Sequence, residues 1–403
     1  MKFSKIPLLG RVAIAIVLGI IIGQFAPIWF ARIFATFNSL FGNFLSFIIP
    51  LIIIGLITPA IGELGQSAGR LLAITALIAY FSTLFSGFFT YFSCQAVYPS
   101  ILTSGIDTGV LNAIDEVVIA PFFTIEMPPV MEVMTALILS FCVGLGITFL
   151  KGDVLQNAFQ ELKEIITLII RAIIIPFLPL YIFGMFLAIS ISGQVYPVIM
   201  LFLKVVLVIF VLHILLLIIQ FLTAGIISGR NPFKALRTML PAYFTALGTS
   251  SSAATIPVTL ECTLKNRISP NIASFTIPLC ATIHLAGSTM KIVGFALAFQ
   301  YFYGMPVDFV TYVGFIFMLG IIMIAAPGVP GGAIMAAIAI IQSFLGFNDQ
   351  MIGLMITIYI AVDSFGTACN VTGDGAIAMI MDRIAGGEKS SETEKSVVEE
   401  SIA

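Results

Sequence analysis

Apolar blocks of membrane-crossing length follow one another along almost the whole chain. They run over Leu8–Phe34, Leu40–Ile61, Leu71–Val97, Val117–Leu150, Ile165–Ile191 and Pro197–Ile227. They resume in Ala273–Phe302, Val310–Ile341 and Met351–Met381. One helical crossing of a bilayer core takes about 20 apolar residues, which each block supplies. Hydrophobic residues make up 60% of the chain and charged residues 9%, against about 45–50% and about 25% in soluble domains. No water-facing surface can be built around so much apolar matter. A cytosolic enzyme, a disordered chain and a secreted disulfide scaffold are thereby excluded. A net charge of −2 gives no basic field for phosphates, so no nucleic-acid partner is expected. The expected class is an all-α polytopic protein of the lipid bilayer. Its 403 residues leave room for about eight transmembrane helices and some partial ones.

The N-terminal Met1-Lys2-Phe3-Ser4-Lys5 and the apolar run behind it imitate a signal peptide. The run continues through Trp29 and Phe30 with no small-residue cleavage site, so a retained first helix is expected. Cys94, Cys142, Cys262, Cys280 and Cys369 stand singly in mostly apolar context; reduced thiols are expected, without disulfides or a cysteine metal site. Residues 388–400 concentrate seven charges and read as a solvated tail. Residues 98–116, with Asp107, Asp115 and Glu116, read as an external loop. Basic residues cluster at Lys2, Lys5 and Arg11, at Arg230, Lys234 and Arg237, and at Lys265 and Arg267. The excess of Lys and Arg in cytoplasmic loops places all three clusters, and both termini, in the cytoplasm.

Polar groups inside the apolar blocks carry the functional signal. Asp363, Thr367, Asn370 and Asp374 follow at i, i+4, i+7 and i+11 and fall within about 60° of arc on a helix. A carboxylate facing lipid costs at least about 2.5 kcal/mol, so this stripe faces protein or water. A structural network between helices is the plain alternative, yet two unpaired carboxylates make a poor structural device. A site for a cation or a substrate amine fits better. Gly248-Thr249-Ser250-Ser251-Ser252-Ala253-Ala254-Thr255-Ile256-Pro257 is short, small and hydroxyl-rich. Gly328-Val329-Pro330-Gly331-Gly332 cuts another block. Loose backbone at membrane depth is tolerated where it lines a cavity, and two such interrupted segments point to a transporter's midplane site.

Ser250-Ser251-Ser252-Ala253-Ala254-Thr255-Ile256-Pro257 resembles the first re-entrant hairpin of the glutamate-transporter family, the dicarboxylate/amino acid:cation symporters. Asn370-Val371-Thr372-Gly373-Asp374 is similar to that family's last-helix signature. Gly328-Val329-Pro330-Gly331-Gly332 resembles the tip of its second hairpin, and Ser274–Ile283 the start of its seventh helix. Order and spacing agree in all four. The resemblance implies an elevator-type fold of eight transmembrane helices and two re-entrant hairpins, assembled as a homotrimer in the inner (plasma) membrane. It implies scaffold helices 1–2 in residues 1–70, helix 3 of a moving transport domain in 71–97, and scaffold helices 4–5 in 98–195. It also implies a transport-domain core in 196–384 (helix 6, hairpin 1, helix 7, hairpin 2, helix 8) and a polar cytoplasmic tail in 385–403.

By the same resemblance Asp363 corresponds to the aspartate that holds a substrate's α-ammonium, and Asn370 to the asparagine on its α-carboxylate. Thr367 and Ser288 are pocket hydroxyls, Ser252 a carboxylate contact with backbone help near Ser250 and Ser251, and Val329 and Ala333 gate positions. Two departures matter. Acidic-substrate members place an arginine three residues after the aspartate, where this chain has Gly366, or on the first hairpin, where it has Ser250. A second substrate carboxylate would lack a fixed partner from either position, so a small neutral amino acid is favoured. In the seventh-helix motif, where the family has Asn-Met-Asp-Gly-Thr, this chain has His284-Leu285-Ala286-Gly287-Ser288. Ala286 removes a sodium-binding carboxylate, while Ser82 and Thr83 retain hydroxyls at the positions of its third-helix partners. A second sodium site, around Asp374 with Asn370 and carbonyl help near Cys280, would be retained.

His284 and Lys291 are new beside that loss. They share a face if the helix is regular, and could stand in for a bound cation or carry a proton; the alternatives are a snorkelling lysine and a histidine making one hydrogen bond. Lys204 reads as a snorkelling or hydrogen-bonding residue. Transport coupled to Na+ or H+, with no resident cofactor, is the expected function. A sodium-coupled dicarboxylate or acidic amino-acid symporter is the alternative within transport, and an anion-conducting channel the alternative outside it. An enzyme is not expected: no nucleotide motif or paired metal histidines occur, and His213 and His284 stand far apart.

Overall fold

A computed structural model describes residues 8–66, 70–102, 119–193, 195–326 and 330–386. Among these residues every regular element is helical. The order is α1 (Leu8–Gly23), α2 (Ile28–Gln66), α3 (Arg70–Ile101), α4 (Val133–Phe149), α5 (Val154–Ile169), α6 (Ile175–Ile191), α7 (Val195–Ser228) and α8 (Pro232–Thr238). There follow α9 (Leu240–Thr249), α10 (Ser252–Lys265), α11 (Pro270–Ile283), α12 (Ala286–Phe302), α13 (Phe309–Ala325), α14 (Gly332–Leu345), α15 (Asp349–Ala361) and α16 (Asp363–Ile384).

Several boundaries differ from the sequence expectation. The first span ends at Gly23 rather than Phe34, because Pro27 starts a new helix: its carbonyl accepts from the N–H groups of Phe30 and Ala31. Pro50 and Pro59 then lie inside α2 without ending it. α3 runs over Arg70–Ile101, beyond the expected 71–97, so residues 98–101 are helical and not loop. The rest of that expected loop, residues 103–116, lies outside the described residues, as does the tail 388–400. A π turn at Ile170–Ile174 joins α5 to α6, making the amphipathic lead-in continuous with the span. Among the described residues five helical stretches are long and apolar enough to cross a bilayer, and a sixth if α15 and α16 count as one bent span. Shorter apolar helices, among them Phe309–Ala325 and Gly332–Leu345, add to these.

Periodicity decides which faces are hidden. On α7, Ile199, Leu203, Leu207, Val211 and Ile214 are exposed, while Val198, Leu201, Val205, Ile209 and Leu212 are buried. Exposed leucines and valines at helical spacing suit an acyl-chain environment. α1 packs on α6, and α2 on α4, α5 and α6. α16 packs on α7, α9, α10, α11 and α12, and α3 on α12 and α13. α12 and α16 form the centre: α12 is buried at almost every position, including Ser288, Thr289, Lys291 and Gln300. These two helices position the site.

Candidate functional site

α15 and α16 meet at a 61° bend. The bend puts Asp363 at the first position of α16, where a helix N-terminus favours negative charge. The side chain points inward, and its residue is 8% exposed. Its Oδ1 lies 3.2 Å from Lys291 Nζ, and its Oδ2 accepts from the backbone N–H of Gly331 at 2.8 Å. Lys291 also lies 3.4 Å from the carbonyl oxygens of Val362 and Asp363, and its Nζ sits 3.8 Å from the centre of the Tyr359 ring. Burying both charges carries a large desolvation cost, which such an array of acceptors and a ring face offsets.

Two glycines make the arrangement possible. A side chain at Gly366 would collide with Lys291 Cε and Nζ, so the space an arginine would take there is filled by lysine. At Gly287 a Cβ would lie 2.5 Å from Cys369 Cβ and 2.7 Å from the Gly366 carbonyl. Its absence lets α12 approach α16 closely. The amide of Asn370 spans the gap: Oδ1 accepts from the N–H groups of Gly287 at 2.8 Å and Ser288 at 3.3 Å, and Nδ2 donates to Ser288 Oγ at 3.1 Å. Thr367 donates its hydroxyl to the Asp363 carbonyl at 3.2 Å.

One helical break lower lies the second pair. α11 ends at Ile283 and α12 begins at Ala286, with His284 in extended conformation between them. The regular helix that would align His284 with Lys291 is therefore interrupted, and the two residues serve different carboxylates. His284 Nδ1 is 2.8 Å from Asp374 Oδ1, and Nε2 is 3.0 Å from Ser82 Oγ, to which Gln220 donates at 3.2 Å. Asp374 Oδ2 and Gln220 Oε1 are buried without a hydrogen-bond partner among the described residues. An unpartnered carboxylate oxygen in so dry a place suits a proton or a small cation. Thr83, expected beside Ser82 in a cation site, donates to the Ala79 carbonyl within α3. Cys280 is buried, and its carbonyl accepts from the His284 N–H at 2.9 Å. Lys204 donates to the Ile101 carbonyl at 2.9 Å, the hydrogen-bonding role expected of it.

The first hairpin turns at Ser250, whose φ of 49° is left-handed. Ser251 caps α10 by accepting from Ala254 N–H, Thr255 donates to the Ser251 carbonyl at 2.8 Å, and Ser252 is buried. Both arms of this hairpin pack on α16. Ala333 is buried near the start of α14; Val329 lies outside the described residues. At the far end of α16, Asp382 accepts from Arg230 at 2.6 Å and from the N–H and hydroxyl of Ser269 at 3.0 and 2.8 Å. This tie joins the end of α7 to the loop before α11.

Sequence reasoning missed Tyr359, Gly331 N–H, Gln220 and His213. Tyr359 and Gly331 touch the first pair, Gln220 reaches the second through Ser82, and His213 lines a void beside Lys291. Only the buried polar character of Gln220 and His213 within the apolar α7 signalled them.

The family model described as the Sodium:dicarboxylate symporter family matches residues 8–384. Curated relatives include the serine/threonine transporter SstT of Acinetobacter baumannii strain AYE, 26% identical over 404 residues, covering 94% of this chain and 97% of the relative. The same protein from strains AB307-0294 and AB0057 matches equally.

Proposed function

The chain belongs to the sodium:dicarboxylate symporter family, and from that premise we propose that it is a secondary active symporter of small neutral amino acids in the inner membrane. The observation that carries this reading is the buried constellation of Asp363, Thr367, Asn370 and Ser288 on two touching helices, with Gly366 in place of a guanidinium. A carboxylate for an ammonium, beside amide and hydroxyl groups for a carboxylate, is what a zwitterion requires. The relatives named as serine/threonine transporters point to the same substrate size. Ser250, Ser251 and Ser252 supply the opposing wall, and Val329 and Ala333 belong to a second hairpin acting as the gate.

α1, α2, α4, α5 and α6 act as the static scaffold of a homotrimer, and α3 with α7–α16 as the moving body. The grouping of helix contacts supports that division. Coupling runs through His284 and Asp374, with a proton favoured over sodium. Support comes from Ala286 at a sodium carboxylate position and from an imidazole on one Asp374 oxygen. A single sodium ion at Asp374 and Asn370 is the competing arrangement, and Asn370 Oδ1 is already engaged by two N–H groups. One observation keeps an acidic amino acid or dicarboxylate as the alternative substrate: Lys291 places a cation 3.2 Å from Asp363.

Purified protein in liposomes, offered labelled serine, alanine, aspartate and succinate under separate sodium and proton gradients, tests the reading. Saturable, concentrative uptake of serine or alanine under a proton gradient is expected. Uptake of aspartate or succinate alone overturns the substrate, and steep sodium dependence without response to a proton gradient overturns the coupling.

A further inference from the structure

Asp363 is fully engaged. One oxygen faces Lys291 Nζ and the other accepts from Gly331 N–H. A substrate ammonium that is to pair with this carboxylate must displace one of the two. Gly331 offers a neutral donor, whereas Lys291 occupies the position an ammonium wants, with a like charge that repels the newcomer.

A place for the displaced amine lies alongside. A void of about 10 Å³, about what one water molecule needs, is lined by Lys291 and by His213, Phe210 and Ile209 of α7 and Phe365 of α16. His213 is 3% exposed and its Nε2 has no hydrogen-bond partner among the described residues. With its proton on Nδ1 the ring presents Nε2 as an acceptor, and a buried acceptor left unmade is costly. The four-carbon stem of lysine has the rotamer freedom to carry its ammonium between neighbouring acceptors.

We propose that Lys291 is a two-position ammonium, paired with Asp363 in the empty site and moved onto His213 Nε2 when a substrate ammonium takes its place. This deepens the amino-acid reading given above and rests on it. With Lys291 protonated in both positions and the substrate a zwitterion, the site carries the same total charge empty and loaded. Lys291 thereby acts as an internal competitor that sets substrate affinity. His213, a residue outside the expected site, becomes its alternative acceptor.

A double-mutant cycle tests this. Binding of serine and alanine to the purified full chain is measured calorimetrically for the wild type, His213→Phe, Lys291→Met and the double variant. Lys291→Met is expected to tighten binding, because the competitor is gone. His213→Phe is expected to weaken it by about tenfold, the worth of one hydrogen bond to a charged group. In the Lys291→Met background the same His213→Phe change should have no effect, since contacting residues couple and an absent amine needs no acceptor. Lys291→Gln replaces Lys291→Met in the cycle should the latter aggregate. Equal loss from His213→Phe in both backgrounds, or weaker binding in Lys291→Met, overturns the displacement and leaves the amino-acid reading standing. Failure of the wild type and of every variant to bind either amino acid overturns both.

Discussion

The pairs Lys291–Asp363 and His284–Asp374 lie three helical turns apart along α16, and each joins it to the chain of α11 and α12. The first sits at a helix start, beside a 61° bend and against the tip of the second hairpin, with the Asp363 side chain 11% exposed. The second sits at a helix break, with both side chains no more than 1% exposed, and is braced by Ser82 from α3 and Gln220 from α7. The first pair holds its carboxylate with an amine on a long flexible stem. The second holds its carboxylate with the rigid ring of an imidazole, fixed at both nitrogens. A pair with a movable partner suits exchange of one ammonium for another. A pair with a titratable partner held rigidly suits gain and loss of a proton.

The largest difference between the pairs should appear when each loses its acid. Asp363→Ala strands the buried Lys291 charge and should cost about 3–5 kcal/mol, read as a drop in the unfolding midpoint in detergent, with complete loss of amino-acid binding. Adding Lys291→Met should recover most of the stability and none of the binding. Asp374→Ala should cost clearly less, because the imidazole left behind keeps its hydrogen bond to Ser82 and need not be charged to make it. Equal costs would break the distinction.

Next in size is Gly366→Ala. Its methyl group would meet Lys291 Cε and Nζ, the movable end of that side chain, and the shift it forces should cost about 1 kcal/mol, the low end for overpacking. For the same reason an arginine at position 366 should shift preference toward aspartate only when combined with Lys291→Ala. If Gly366→Arg alone takes up aspartate, Lys291 does not fill that space.

His284→Gln keeps one hydrogen bond and removes the imidazole proposed to carry the proton. Folding should change little, while uptake driven by a proton gradient should be lost; Lys291→Met should retain its response to the gradient. Proton-driven uptake that persists in His284→Gln would place the coupling group elsewhere. The smallest effect is expected from Glu261→Gln, which breaks an exposed pair with Lys265. It should leave the unfolding midpoint unchanged, and so calibrates the buried pairs against a solvent-facing one.

The stripe from Asp363 to Asp374 was legible in the sequence because helical periodicity alone puts those residues on one face, and an apolar context says which way the face must turn. The partnership of Ser82 with the His284 neighbourhood was legible through the family's third-helix pattern. Lys291 was recognisable as an anomaly, but not its choice of Asp363 over Asp374. That choice depends on the break at His284 and Leu285, where no proline or glycine marks the sequence. The share of Asp363 taken by Gly331 N–H was illegible because backbone groups carry no residue signature. The split of the first apolar block at Pro27 was legible in kind, since proline starts helices, yet the length of the run concealed it.

The bond from Gly331 to Asp363 has a consequence in time. Gly331 holds a left-handed φ of 74°, which presents its N–H to the carboxylate. A hydrogen bond to a charged acceptor is worth about 1.5–3 kcal/mol. A fastening of that strength is undone by thermal motion between about one moment in ten and one in two hundred. That bond alone would open often, whereas the arm behind it, buried from Gly332 to Ile341 and packed on α2, α12, α13 and α15, stays fixed. Any local opening at Gly331 would then be a movement of the few residues ahead of α14, and not of the helix.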